Sequence, residues 1–449
     1  MRADGILPAL YLSGAAAWAA VEKPAGVPGF REVSAGALTL EAALKMAAER
    51  DPEVLAVLAD VEAAASGRRE ARLPLGPEAE ASYRFGDRED KTGIAVTTDL
   101  SHLLLYPLKW GLAGARHDET RMRAAISLAD RELEVKTAFL ALQAAQQAEA
   151  LSGGMGEAAE ASADLAALQR KAGNINALEE DAQVAQRQDA VLEHARARKE
   201  TASARQDLAL LIGMPSAADS LRAADTLPPI PPADPALADL LAAAAGKGPE
   251  LEAAKAAEAA AGKALWLARI DRFPLRAGVE WEREGGDDFL GPKAEVRIPL
   301  DLGWNAASKA RWERTAARHR VASAEAGTRA RIAALRTRMA AAREAAEYLE
   351  RTVSPHRIAV LEEMQKHYNF MLEGVYELIL ARQRIYAAQR EALEARKEYW
   401  VARAGMERAL GAPLPRPSPA ESPVPESGNS PVPAPASPAP SGHDHEGGR

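Results

Sequence analysis

The chain has 449 residues, enough for several compact domains, but aromatic residues make up only 5% and small side chains dominate the apolar 47%. That composition favours close helix pairing over a thick globular core. Net charge is −8 with both signs interspersed, which removes the basic footprint of a nucleic-acid binder, and the absence of cysteine excludes disulfides, thiolate metal sites and cysteine nucleophiles.

Arg2, the apolar run from Ile6 to Ala20 and the small-x-small triplet Ala17-Trp18-Ala19 predict a secretory signal over residues 1–20, with a plain apolar arm as the alternative. No uncharged run reaches the roughly 18 to 20 residues of a membrane-spanning helix, so any membrane crossing must use strands. Leu38-Thr39-Leu40-Glu41 announces the first helix with Thr39 as its cap. Asp51-Pro52-Glu53 interrupts it and starts a second helix toward Pro74, since proline suits a first helical turn. The hydrophobic period then changes to two. Ala79, Ala81, Tyr83 and Phe85 alternate with Glu80, Ser82 and Arg84, and after a polar tip Ile94, Val96, Thr98 and Leu100 continue the pattern. This is a hairpin with one oily face, suited either to a tilted transmembrane barrel or to the surface of a soluble domain. Pro107-Leu108-Lys109-Trp110-Gly111 is expected to turn the chain from strand into a long helical region, from about His117 to Gly213, broken in regularity by Gly153-Gly154 and Gly173.

Residues 214–236 hold Leu227-Pro228-Pro229-Ile230-Pro231-Pro232, a stiff extended linker. The layout then repeats. Gly248-Pro249-Glu250 opens a helix toward Pro274; Leu275, Ala277, Val279 and Trp281 precede a tip at Glu284 to Asp288, and Ala294, Val296 and Ile298 follow it. Pro299-Leu300-Asp301-Leu302-Gly303 is the second turn. A helix from Asn305 to Val353 would be roughly 70 Å long, with an apolar seam at Ile332, Leu335, Met339, Ala342, Ala346, Leu349 and Val353. A second seam runs from Leu378 through Ile385, Tyr399 and Met406, and Gly411 ends it. Residues 412–449 are Pro/Ser-rich and expected to be disordered.

Landmarks correspond between the copies: Pro52 with Pro249, Pro107 with Pro299, Gly213 with Gly411. The domain reading is therefore a first repeat over 38–213 with its hairpin at 75–106, and a second over 237–411 with its hairpin at 275–302. The fold class expected is mainly α with a small β part, built from long antiparallel coiled-coil hairpins and four strands. Four strands cannot enclose a lumen and open edges are not tolerated in lipid, so a membrane-spanning form requires several copies.

In the order of these features, from Leu38-Thr39-Leu40-Glu41-Ala42-Ala43-Leu44 through the two Pro-Leu-x-x-Gly segments to the helix ends Leu211-Ile212-Gly213 and Leu410-Gly411, the chain resembles the TolC-like outer membrane factors over about Leu38 to Gly411. Tyr368-Asn369-Phe370, Gly374 to Arg382 and Tyr399-Trp400 look like its heavy-metal and copper resistance branch. The resemblance implies a homotrimer with a twelve-stranded transmembrane β-barrel and an α-helical tunnel, located in the outer membrane of a Gram-negative bacterium. It further implies contact with outer membrane lipid, partners in a periplasmic membrane-fusion adaptor and an inner-membrane transporter, and passive export of heavy-metal cations such as copper. Gly173, Asn174, Glu179, Gly374, Val375 and Glu377 would then form the entrance tips where the adaptor docks, with the two glutamates as ring-forming acids or as ordinary surface residues. Pro107, Gly111, Pro299 and Gly303 would be the strand-to-helix turns, with Trp110 and Trp304 either at the membrane interface or packed at the junction. Many relatives carry an N-terminal lipid on cysteine, which this chain lacks.

No catalytic constellation or cofactor site is expected, because serines, histidines and carboxylates are scattered without a nucleophile elbow, phosphate loop or His-Glu-x-x-His. His117-Asp118-Glu119 lies on adjacent helical positions that point apart, a solvated face. His443 and His445 could bind a transition metal weakly. The competing function is a soluble periplasmic coiled-coil scaffold whose hairpins are surface decorations.

Overall fold

The computed structural model describes residues 37–414, apart from 74–75, 86–90, 225, 246–247, 272–274, 285, 297–300, 302, 371 and 373. The expected signal, the tail beyond residue 414 with His443 and His445, and Pro299 lie outside the described residues. A succession of two helices, a hairpin and long helices occurs twice. The first run is α1 (Leu40–Arg50), α2 (Pro52–Glu70), β1 (Glu78–Arg84), β2 (Lys91–Asp99), α3 (Leu100–Lys171) and α4 (Ala177–Leu211). The second is α5 (Leu237–Ala244), α6 (Pro249–Ile270), β3 (Leu275–Glu284), β4 (Asp287–Val296), α7 (Trp304–Tyr348), α8 (Ser354–Asn369) and α9 (Val375–Leu410).

Local chemistry sets most boundaries. The Thr39 hydroxyl caps α1 by accepting from the Ala42 amide at 3.3 Å, and the Asp51 carboxylate caps α2 through Glu53 at 3.0 Å. α3 and α4 end at Gly173 and Gly213, and α9 at Gly411, all at positive φ. At Gly213 its own amide reaches the Leu210 carbonyl and the Met214 amide the Ala209 carbonyl, the paired bonds of a Schellman ending. A Cβ on Gly213 would also stand 2.7 Å from the Arg50 carbonyl oxygen, so both the dihedral and the packing require glycine.

Two expectations are corrected. Pro107 and Gly111 form no turn; they lie within α3. The Asp99 carboxylate accepts from the His102 amide at 2.8 Å and so starts the helix at Leu100, which makes the Leu103-Leu104-Leu105 run helical. An interior proline costs roughly 3 kcal/mol through its missing amide and the clash with the carbonyl four residues back. Tertiary ties hold this stretch nonetheless: Ser101 accepts from the Leu275 amide at 2.6 Å, the Tyr106 hydroxyl donates to the Arg72 carbonyl, and Lys109 pairs with Asp271 at 3.1 Å. The second correction concerns α7, whose α-helical geometry stops at Tyr348 and passes through a π turn, Leu349–Val353, into α8. The wider turn falls just where the Pro355 ring would collide with the preceding helix, so the chain stays helical through the proline.

α3 runs past both halves of the molecule. It packs on α2 and α6 toward the sheet and on α4 and α9 toward its far end, while α7 packs on α6 and then α9. Two apolar clusters pack beneath the short helices: Val135, Phe139, Leu142, Leu208 and Ile212 under α1, and Ile332, Met339, Tyr399 and Met406 under α5. Both seams read from the sequence are thus the buried ones. The linker is pinned down. Asp234, only 2% exposed, receives the Arg343 guanidinium at 2.5 and 3.0 Å and the Tyr399 hydroxyl at 2.7 Å, and Trp400 donates to the Pro228 carbonyl at 2.9 Å. Burial pushes the Asp234 carboxyl up, but the Arg343 and Tyr399 bonds outweigh it and hold the group below its ordinary range.

Candidate channel wall and entrance tips

The four strands form one antiparallel sheet in the order β1-β2-β3-β4, leaving β1 and β4 as edges. Its register sorts the side chains completely by chemistry over the central rows. Ala81, Ile94, Trp281 and Leu290 lie opposite one another, as do Ala79, Val96, Val279 and Pro292 two residues on. Between them, on the other face, run Glu80, Ala95, Glu280 and Gly291, and then Glu78, Thr97, Gly278 and Lys293. Toward the hairpin end the sorting breaks down: Phe289, opposite Glu282, lies on the polar face, and the Arg283–Asp288 pair lies on the apolar one. Because strand side chains alternate, a slip of one residue in any pairing would mix the two faces. The polar face is laced by Arg276 with Glu78 at 2.8 Å and by Lys293 with Glu280 at 3.4 Å and Glu80 at 3.7 Å. Ile94, Val96, Val279 and Leu290 on the apolar face are exposed. β3 and β4 each have ten residues. At about 3.3 Å per residue and a tilt near 40°, that length spans about 25 Å, the height of the apolar band of a membrane barrel. The pairing also continues to Glu284 and Asp287, so the second hairpin tip is shorter than the sequence suggested.

At the strand-to-helix junction the second copy does turn. Gly303 has φ 75°, and the Asp301 carboxylate accepts from the Asn305 amide at 3.1 Å and the Gly303 amide at 3.2 Å. These backbone donors hold the Asp301 carboxyl below its usual value. Trp110 carries the Arg72 guanidinium 5.4 Å from its ring centre, and Trp304 is exposed at the first position of α7.

At the opposite end, α3 and α4 reverse through Gly173 and Asn174. Asn176 and Glu179 form a reciprocal capping box, with the Glu179 amide donating to the Asn176 side chain at 2.9 Å and the Asn176 amide to the Glu179 carboxylate at 3.1 Å. Glu377 occupies the same third position of α9, after Gly374 as cap, and its carboxylate lies so close that a Cβ on Gly374 would meet it at 2.5 Å. Glu179 therefore serves a helix start, and Glu377 lies in the first turn of its helix. The Val375 side chain is outside the described residues. The tips of the two copies meet through Tyr376, whose hydroxyl donates to the Gln169 side chain at 2.9 Å. Burial raises that hydroxyl above its ordinary pKa, and the nearby Glu179 and Glu180 charges add to the effect.

Sequence reasoning missed Gln169, Tyr376 and the apolar rim of the tips: Leu178, Phe370 and Leu372 are 77%, 76% and 71% exposed. The available signal was large apolar residues beside a turn and outside either seam. Among the described residues no group of three or more His, Cys, Asp or Glu could hold a metal, and Glu119 of the His117 run pairs with Arg123 at 2.5 Å. No helix of the described residues is long and apolar enough to cross a membrane.

The sequence matches no protein-family model and no curated protein. Solved structures do match. A membrane protein from Pseudomonas aeruginosa superposes with a TM-score of 0.70 at 17% identity, covering 84% of this chain and 90% of its own. The outer membrane protein VceC from Vibrio cholerae gives 0.69 at 15% identity, covering 84% and 97%. CusC, described as forming a transmembrane channel, gives 0.60 at 16% identity, covering 83% and 92%. With its two-faced sheet at one end and paired helix tips at the other, the chain has the fold of the TolC-like outer membrane channels.

Proposed function

We propose that this protein is the outer membrane channel of a tripartite efflux system, carrying cargo passively from an inner-membrane pump and a periplasmic adaptor to the exterior. The observation that carries this reading is the sheet: an exposed apolar face, a charged opposite face and two unpaired edges. Three copies joined edge to edge would turn the apolar faces to lipid and the charged faces to a lumen, and would leave no edge in the membrane. The entrance tips, with Gly173, Asn174, Glu179, Gly374, Val375 and Glu377, are the proposed adaptor-docking end, and their exposed Leu178, Phe370 and Leu372 suit an apolar partner surface. Passive transport needs no catalytic residue, which agrees with the absence of any such constellation in the sequence.

For cargo we propose a heavy-metal cation such as copper, supported by the branch resemblance of Gly374 to Arg382 and by the polar face of the sheet, where Glu78, Glu80, Asp99, Glu280, Glu282, Glu284, Asp287 and Glu295 outnumber Arg84, Lys91, Arg276 and Lys293. His443 and His445 are the proposed tail ligands. Membrane fractionation followed by planar-bilayer conductance tests the channel. Detergent-dependent recovery and cation-preferring conductance are expected; full recovery in the soluble fraction would favour the scaffold reading. Copper tolerance conferred by the intact chain, and its loss in a His443→Ala/His445→Ala variant, tests the cargo and tail.

A further inference from the structure

A cleft of about 630 Å³ lies on the sheet-proximal half of the helices, between α3 and α6 with Arg314 of α7 at its side. Its walls mix two chemistries. Pro107, Leu108 and Trp266 supply apolar surface, while Lys255, Lys263 and Arg314 supply cations. Glu258 is the one acid in the lining, and Arg318 already engages it at 3.1 Å; Lys255 pairs with Glu252 at 3.0 Å, which leaves Lys263 and Arg314 as the surplus charge. Lys263 spends one donor on the Gly111 carbonyl at 3.0 Å, and the Arg314 Nε is buried with no hydrogen-bond partner. An amphipathic cleft with surplus positive charge and an unsatisfied guanidinium nitrogen is complementary to an anionic amphiphile.

The helical period shows which side of the wall it faces. On α6, Ile270, Trp266, Lys263, Ala259 and Lys255 fall on one stripe, all of them exposed. On α3, exposed Leu103 and Leu104 continue directly into Pro107, Leu108 and Gly111. Moving away from the strands, the α6 stripe therefore passes from aliphatic to indole to ammonium, with Trp266 about 6 Å and Lys263 about 10 Å below Ile270 at 1.5 Å per residue. This is the depth profile of a bilayer leaflet from hydrocarbon edge to headgroup, and it is opposite to what a water-filled lumen would select.

Resting on the outer membrane reading above, we infer that this cleft binds the headgroup of an anionic glycerophospholipid from the periplasmic leaflet. The phosphate sits against Lys263 and Arg314, and the acyl chains rise past Trp266, Ile270 and Leu104. The first copy has no equivalent: at the Pro52 to Pro249 offset, Ser66 and Arg69 stand where Lys263 and Trp266 stand in the second. One site per chain follows, and three per trimer.

Native mass spectrometry of the full-length protein in mild detergent, titrated with palmitoyl-oleoyl phosphatidylglycerol, tests the site. Phosphatidylcholine and inorganic phosphate are the comparison ligands. One phosphatidylglycerol per chain is expected, with Lys263→Gln/Arg314→Gln weakening it roughly thirtyfold and Trp266→Ala weakening it less. Lys91→Gln, on the polar strand face and remote from the cleft, should leave binding unchanged. Equal retention of phosphatidylcholine, retention unaltered in the double variant, or tight binding of inorganic phosphate alone would overturn the inference. A protein that conducts in bilayers yet fails these arms would leave the channel standing and remove only the lipid site. Recovery without detergent would instead remove the channel.

Discussion

Replacing Val279 by arginine puts the two-faced sheet to its severest test. Val279 is the fifth of ten residues in β3, flanked by Val96 and Pro292 on the apolar face, so a strand spanning the membrane would place it near mid-depth. Arginine on the lipid side of a barrel at that depth costs about 2 to 4 kcal/mol. One substitution per chain therefore lowers the folding equilibrium about 30- to 1,000-fold per subunit, and three such charges compound in a trimer. Thr97, on β2 beside Gly278, faces the opposite side, and Thr97→Arg adds the same charge where water would be present. Urea titration of the protein reconstituted into vesicles, read by a heat-modifiable oligomer band, compares the two. Val279→Arg should shift the midpoint strongly downward or abolish assembly, and Thr97→Arg should stay close to the parent. If both variants assemble alike, or Thr97→Arg is the worse, the apolar face does not contact lipid and the barrel argument fails.

The remaining expectations concern the helices. Asp234→Ala leaves the Arg343 guanidinium partly buried without its carboxylate, a loss of about 3 to 5 kcal/mol, visible as a lower urea midpoint and as faster proteolysis of the 226–236 segment; an unchanged midpoint would refute the clamp. The Asp234 carboxyl is held below its ordinary value of 3.8, so its contribution is complete above about pH 4 and fades as pH falls through the depressed value. The difference in stability between the parent and Asp234→Ala should therefore shrink only in strong acid, and shrinkage between pH 7 and 5 would contradict the assignment. Glu179→Ala removes one half of the capping box and should speed exchange of the Asn176 amide about fivefold, whereas Glu179→Gln should retain protection; equal exchange in both would assign Glu179 no capping role. Gly213→Ala forces a side chain into the left-handed region against the Arg50 carbonyl and should cost at least about 1 to 2 kcal/mol, measured by thermal unfolding.

Much of this protein is legible along the chain. The period of two, the Thr39 and Asp51 caps, the two seams and the Gly213 and Gly411 endings are local in origin, because a strand face, a cap or a helix stripe depends on residues no more than a few positions apart. Pro107 was misread for the complementary reason. Its local preference says turn, but the Asp99 cap, the Tyr106 bond to Arg72 and the Lys109 pair with Asp271 hold the helix through it, and two of those partners are distant in sequence. The same holds for Asp234, unremarkable in a proline-rich linker until Arg343 and Tyr399, more than a hundred residues away, converge on it. The chemistry of each face was written in the order of the residues. Which strands share that face and which tips touch through Gln169 and Tyr376 were decided only when α3 brought both copies side by side, and which cations gather in one cleft only when α6 packed on α7, since such proximity is a property of packing in space.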